Sequence, residues 1–238
     1  MIRIGTCRSQ LSQVLSIFTA ALITLTSTPL LAQSLDQLSG RDVTAGLKAA
    51  LDKGTTAAVE SLGRTDGFWA NPKVRIPLPD QLQRVRSALR LMGKAEELDA
   101  LELAVNRAAE QAVPQAKTLL TNAVKSMTVD DAKQILRGAD DSVTQFFKSK
   151  TASQLSERFL PIVRQVTQRS GLAQQYNALA GQGAALGLVK PEQATVERYV
   201  TQKALDGLYT MIAEEEKKIR ANPLAAGSDI IRRVFGAL

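Results

Sequence analysis

The sequence predicts an all-α protein, a single helical domain of eight or nine helices. Apolar residues recur at helical spacing along most of the chain from residue 42 onward. Glycine and proline divide this pattern at intervals that suit helix ends. A strand-like alternation persists only over residues 74–79, where Pro77 and Pro79 exclude a central strand.

The first predicted helix covers residues 42–62, and Gly63 stops it. A second begins at Asp80 and ends near Gly93, with four apolar residues on one side: Leu82, Val85, Leu89 and Met92. A third covers residues 95–113, with a stripe that includes Leu98, Leu101, Val105 and Ala109. These helices leave residues 63–80 as one long irregular loop.

The second half of the chain continues the helical pattern. Pro114 kinks the preceding helix or begins the next, and Thr128 with Asp131 has the form of a capping box. Two further segments are predicted, one from Asp140 or Ser142 and one over residues 153–169. Four glycines make residues 171–190 the least regular part, after which a helix extends from 192 to 220.

The loop over residues 63–80 reads GRTDGFWANPKVRIPLPD and holds the sole tryptophan and three prolines. Because proline reduces the entropy lost on ordering, we expect a fixed shape. In one interpretation it is a structural strap with Lys73 and Arg75 outward and four apolar side chains inward: Phe68, Val74, Ile76 and Leu78. In the other, a binding rim is built from Trp69, Asn71 and Arg75.

Four blocks carry a resemblance to a known family: DGFWANPKVRIPLP, NRAAEQAVPQA, MTVDDAKQILRG and ALDGLYTMIAEEEKKIRANP, at 66–79, 106–116, 127–138 and 204–223. Together they resemble the bacterial family called domain of unknown function 4197. The resemblance implies an exported helical protein of Gram-negative bacteria. It brings no activity, cofactor or catalytic residue.

Residues 1–32 have the pattern of a secretory signal peptide. Arg3 and Arg8 precede an apolar run over residues 14–25, which is shorter than the roughly 20 residues that span a bilayer. Pro29 follows, and the small residue Ala32 is the predicted cleavage position. We therefore expect a periplasmic protein whose single domain covers residues 33–238, with an uncleaved membrane anchor as the alternative.

Composition excludes several chemistries. The chain has no histidine, which rules out Ser-His-Asp and Cys-His catalysis and imidazole metal sites. Its one cysteine, Cys7, lies in the predicted signal peptide and allows no disulfide framework. The acidic pairs at 130–131 and 140–141 lack calcium-loop spacing and suit helix starts. We expect no cofactor, no metal and no identifiable catalytic residue.

A basic cluster lies between residues 73 and 94. It has a net charge of +5 and contains Lys73, Arg75, Arg84, Arg86, Arg90 and Lys94 against Asp80. This face could meet anionic lipid headgroups or an acidic envelope protein. Alternatively it is a solvated face that pairs with nearby carboxylates: Glu96, Glu97, Asp99 and Glu102. Nucleic acid is not expected, because aromatic residues do not alternate with these cations.

Three polar residues of one predicted helix, Asn106, Arg107 and Glu110, are the remaining candidates. They could form a buried binding network under the 63–80 loop. They could equally clamp the loop, with Arg107 bonded to its carbonyl groups.

The sequence therefore favours a non-enzymatic binding or scaffold protein of the cell envelope, with an amphipathic or anionic ligand. The predicted ligand-binding residues are Trp69, Asn71, Arg75, Arg86, Arg90, Asn106, Arg107 and Glu110. A histidine-independent hydrolase that uses carboxylates is one alternative. A structural homodimer, suggested by residues 171–190, is another.

Overall fold

The computed structural model describes residues 39–139, 141–222 and 229–231. These residues form nine α-helices and no strand, which confirms the all-α prediction. The helices are α1 (Gly40–Gly63), α2 (Asp80–Arg84), α3 (Arg86–Leu91), α4 (Ala95–Ala112), α5 (Ala116–Ser126), α6 (Val129–Arg137), α7 (Ser142–Thr167), α8 (Gly171–Ala185) and α9 (Val196–Ala221). The predicted signal peptide over residues 1–32 and Asp140 lie outside the described residues.

The core lies where the long helices meet. Helix α9 packs against α7 and α1, and α7 also packs against α4. Phe147, Phe159, Leu47 and Leu208 are fully buried at these contacts. Each such side chain contributes about 1.5–3 kcal/mol through removal of apolar surface from water. All of the described helices belong to one compact unit.

A predicted capping box starts α6. The Thr128 hydroxyl accepts the Asp131 N–H at 3.1 Å, and the Asp131 carboxylate accepts the Thr128 N–H at 2.9 Å. The hydrogen bond from the Thr128 backbone lowers the pKa of Asp131 below its ordinary value. The structure therefore confirms the helix-start role of this acidic residue.

Three predicted segments differ from the structure. The helix expected from Asp80 to Gly93 is interrupted at Val85, where φ is −95° and ψ is 4°. Leu82 is the only buried residue of these two short helices, so packing does not enforce one continuous helix. Residues 142–167, predicted as two segments, form the single helix α7 because one apolar stripe continues past the exposed Pro161.

The third difference concerns residues 171–190. The stretch predicted as least regular is helical to Ala185, because Ser170 caps α8 and Leu172 and Tyr176 bury its inner side. Only the turn after it, at 186–190, is irregular, with Gly187 at a φ of +72°. No helix within the described ranges is both long and apolar enough to span a bilayer.

Candidate functional site

Residues 64–79, here named the strap, connect α1 to α2 across the surface of α4 and α9. The predicted inward orientation of its apolar residues is confirmed, because all four are buried: Phe68, Val74, Ile76 and Leu78. Lys73 and Arg75 are exposed, as expected. The strap interpretation of this segment therefore accounts for its apolar residues.

Gly207 of α9 allows the strap to lie close to the helix. A Cβ atom at this position would come within 2.8 Å of Phe68 Cε1 and 3.2 Å of Val74 Cβ. Both distances are shorter than ordinary van der Waals contact. The absence of a side chain on Gly207 thus fixes how deeply Phe68 enters the core.

Three buried polar residues of α4, here named the polar clamp, hold the strap: Glu102, Asn106 and Glu110. They are spaced four residues apart and therefore share one side of the helix. Asn106 accepts the Ile76 N–H and donates to the Ile76 carbonyl, both at 2.8 Å. Glu110 accepts the N–H groups of Phe68 and Trp69 at 3.0 and 3.1 Å. The polar clamp thus provides hydrogen-bond partners for backbone groups of the strap, which has no neighbouring β-strand among the described residues to pair with.

Arg107 links the clamp to the start of the strap. Its guanidinium donates to Glu110 at 2.7 Å and to Asp66 at 2.6 Å. These two carboxylate bonds raise the pKa of Arg107. The clamp interpretation was therefore right about position but wrong about the partners, because Arg107 binds carboxylates rather than loop carbonyl groups.

Glu102 forms ion pairs with two arginines, Arg75 of the strap and Arg86 of α3. Arg75 lies 3.2 Å from its Oε1, and Arg86 donates to its Oε2. The Arg75 guanidinium also stacks over the Trp69 ring, 3.7 Å from the ring centroid. Because Glu102 is buried, this pairing fixes both arginines against α4.

The remaining predicted site residues are more peripheral. Arg90 lies 3.9 Å from Asp99, which also pairs with Arg86 at 3.3 Å. Asn71 closes a local turn by accepting the Lys73 N–H at 3.1 Å, and its amide faces Met211 of α9. Lys73 pairs with Glu214 at 2.7 Å, which lowers the pKa of Glu214.

Seven of the eight predicted residues lie on the strap or contact it through α4, and Arg90 lies on α3. Their polar atoms mainly bind the strap backbone and the carboxylates of Asp66, Asp99, Glu102 and Glu110. Arg86 does pair with Asp99 and Glu102, as the second interpretation predicts, but its side chain is only 21% exposed and is therefore not on a solvated face. That these residues bind a ligand stays a prediction. Their visible role is to hold the strap on α4, and Arg86 and Arg90 also tie α3 to α4.

An open apolar cleft of about 320 Å³ lies between these two short helices and α8. This volume is at the lower end of the roughly 300–1,000 Å³ typical of ligand pockets. Leu82, Val85 and Leu89 line one wall, and the other is formed by Leu172, Tyr176, Leu179 and Ala180, with Val189 from the turn after α8. The two glutamines Gln81 and Gln175 complete the lining.

Polar contacts fix both walls of the cleft. The Tyr176 hydroxyl donates to the Gln193 carbonyl at 2.8 Å and lies 3.3 Å from the Gln81 side chain. Burial raises the pKa of Tyr176. Behind α8, the buried Glu197 accepts from Asn177 at 2.9 Å and from Thr167 at 2.6 Å, which ties α8 to α7 and α9.

The α8 wall was missed at the level of sequence. Its glycines predict irregularity, although Leu172, Tyr176 and Leu179 follow helical spacing. A further indication was available, because no charged residue occurs between Arg169 and Lys190. A helix without charges that is not fully buried is unusual at a protein surface.

A larger hollow, of about 480 Å³, lies between α6 and α7. Seven of its nine lining residues are polar, among them Asp131, Gln134, Ser142 and Lys150. The Asp131 carboxylate is already used in the capping box. This hollow therefore offers a ligand fewer apolar contacts than the cleft does.

Comparison with known proteins assigns the family. A model described as protein of unknown function, DUF4197, matches residues 37–236. The chain belongs to this family. The match covers most of the sequence and includes every helix described above. No curated protein and no solved structure matches the chain.

Proposed function

We propose that this DUF4197 protein is a non-enzymatic binding protein of the cell envelope that holds the apolar part of an amphipathic molecule in the cleft. The open cleft between α2, α3 and α8 carries the proposal. Apolar side chains in an open cleft gain free energy when a ligand excludes water from them, at about 25 cal/mol per Å² of apolar surface.

The chemistry of the lining favours binding over catalysis. Of the residues that line the cleft, Tyr176 is the one with a titratable side chain. Its hydroxyl is bonded to the Gln193 carbonyl, and its raised pKa keeps it neutral near pH 7. Such a group can orient a ligand by hydrogen bonding, but it is a poor nucleophile or base.

Cations near the cleft favour a ligand with an anionic head. Arg84 and Arg90 are exposed on the helices that form one wall. Arg84 forms no ion pair with the described residues, and the nearest carboxylate to Arg90 lies at 3.9 Å. Arg84 directly precedes Val85, which lines the cleft, so a carboxylate or phosphate group on the ligand would find a cation next to this wall.

Export is part of the proposal. It is supported by the basic, apolar and small-residue pattern of residues 1–32 and by the lack of cysteine after Cys7. In the periplasm an amphipathic ligand must cross water, so a protein that covers its apolar part has a clear use.

The experiment titrates the mature chain with a dansyl-labelled fatty acid and follows the increase in dansyl fluorescence. Val85 lines the cleft and is 46% exposed, so Val85→Trp fills the cleft without overpacking the core. Val129→Trp on α6 is the matched control, because Val129 is similarly exposed at 38% and lies outside the cleft.

We expect saturable binding by the wild type and by Val129→Trp, and affinity about ten-fold or more lower for Val85→Trp, which corresponds to at least 1.4 kcal/mol. Wild-type fluorescence that never saturates would contradict the proposal. Equal affinity of both variants, with unchanged circular dichroism, would also contradict it.

A further inference from the structure

The outer surface of α8 and the turn after it carries no charge. Residues 170–189 contain no charged side chain, although 22% of the whole chain is charged. At the two ends of this stretch are Arg169 and Lys190, both exposed and without an ion pair among the described residues. An uncharged surface between two cations differs from an ordinary solvated helix face.

Large apolar side chains project from this surface. Leu179, Leu186 and Leu188 are 72%, 74% and 79% exposed. At the end of α3 and the start of the turn after it, Leu91 and Met92 are 91% and 70% exposed. A single exposed leucine needs no explanation, but several on neighbouring segments mark an interaction surface.

The two turns lie at the same cleft. Leu89, which precedes Leu91 by two residues, and Val189, which follows Leu188, both line it. The exposed apolar residues of both turns are therefore close to the cleft margin. We name the set Leu91, Met92, Leu186 and Leu188 the apolar turns.

The charges around this apolar surface distinguish between its possible binding partners, a second copy of the chain and a lipid surface. Pairing of α8 with a second copy would place the cations Arg169 and Lys190 of the two copies on one interface without acidic partners on α8. An anionic lipid surface instead attracts these cations and Arg90 and Lys94, which stand on either side of Leu91 and Met92. Both turns thus combine exposed apolar side chains with neighbouring cations.

We propose that the apolar turns and the outer face of α8 dock this protein on the surface of an anionic lipid bilayer. Leucine and methionine side chains enter the region between headgroups and acyl chains, and the flanking cations meet lipid phosphates. The inference goes beyond ligand binding in the cleft and does not depend on it. It places the cleft margin at the membrane, where amphipathic molecules reside.

The test is co-sedimentation of the mature chain with vesicles of phosphatidylethanolamine and phosphatidylglycerol, compared with phosphatidylcholine vesicles. We expect binding to the anionic vesicles that weakens with salt. The double change Leu186→Gln and Leu188→Gln should lower the partition coefficient about ten-fold, since both leucines lose their apolar contact with lipid. Leu103→Gln, on α4, is the control for an exposed leucine elsewhere and should bind as the wild type does.

Charge is tested separately. Arg169→Gln and Lys190→Gln should each reduce binding to anionic vesicles about five-fold, with little effect of the same changes on phosphatidylcholine. No binding to anionic vesicles, or equal binding to both compositions, would overturn the proposal. A wild-type dimer in sedimentation equilibrium that the double leucine change converts to monomer would assign this surface to a second copy instead.

The cleft variant separates this proposal from the previous one. Val85→Trp should lose the dansyl-labelled fatty acid and retain vesicle binding, whereas the double leucine change should do the reverse. If Val85→Trp kept the dansyl-labelled fatty acid while the double leucine change lost vesicle binding, ligand binding in the cleft would be wrong and the membrane surface would stand.

Discussion

The side-chain amide of Asn106 forms hydrogen bonds with both backbone polar groups of Ile76, each at 2.8 Å. The amide thus pairs with the backbone of the strap as a neighbouring β-strand would, although it projects from a helix. Its Nδ2 also donates to the Glu102 carbonyl at 2.8 Å, so the amide is fixed in one orientation. Because Asn106 is fully buried, water cannot replace these bonds.

Asn106→Ala should therefore destabilise the protein strongly. The change leaves the N–H and the carbonyl group of Ile76 buried without partners, at about 1–3 kcal/mol for each group. We expect the free energy of unfolding in urea to fall by about 2–4 kcal/mol. Gln202→Ala, on the exposed side of α9, is the control and should change it by less than about 0.5 kcal/mol. A loss equal to that of the control would show that the strap does not depend on Asn106.

Two glycine-to-alanine changes should alter the stability of the protein in opposite directions. At Gly207 a methyl group would meet Phe68 at 2.8 Å, so Gly207→Ala should push the strap outward and destabilise the protein by about 1–3 kcal/mol. At Gly181, in α8, a methyl group meets no atom within 4 Å. Gly181→Ala should stabilise the protein by about 0.5–1 kcal/mol, because alanine loses less backbone entropy in a helix.

Trp69 provides the readout for these two variants. It is the sole tryptophan, and its ring lies under the Arg75 guanidinium on the strap. Its emission should shift to longer wavelength in Gly207→Ala and stay unchanged in Gly181→Ala. Equal stability of the two variants would contradict the close approach of the strap to α9.

The capping box of α6 should make stability depend on pH. The folded-state pKa of Asp131 lies below its ordinary value, so its contribution is complete above the ordinary carboxyl pKa and is lost as the pH falls through the lowered value. Asp131→Ala should therefore lower the free energy of unfolding at neutral pH, and the difference from wild type should shrink on acidification.

Urea unfolding at a series of pH values checks this dependence. Asp130→Ala is the control, since it removes a carboxylate from the same helical turn and leaves all three hydrogen bonds between Thr128 and Asp131 intact. A difference between Asp131→Ala and wild type that stays constant down to acid pH would contradict the role given to the carboxylate.

Much of the fold was predictable, because periodicity and local capping specify helices directly. Gly63, Thr128 and Asp131 marked helix ends correctly. The break at Val85 was not predictable, since it depends on how little of that segment is buried. The continuity of α7 past Pro161 was not predictable either, because it depends on tertiary packing. The contacts of α4 and α9 with its apolar stripe outweigh the one backbone hydrogen bond that the proline removes.

The site was predictable only in part. Asn106 and Glu110 stood out as polar residues on an apolar helix, and the structure shows both under the strap. The cleft depends on the approach of α8 to α2 and α3, segments almost ninety residues apart in the chain. No local pattern encodes that approach, although the lack of charge over residues 170–189 marks one of its walls.

The most direct test of the proposed function is a native mass spectrum of the protein made as the full precursor in a Gram-negative host and purified gently from the periplasm. We predict a chain that begins at Gln33 and carries an additional lipid-sized mass, which is lost on unfolding and absent from Val85→Trp. A periplasmic wild-type chain of bare mass, indistinguishable from Val85→Trp, would contradict ligand binding in the cleft.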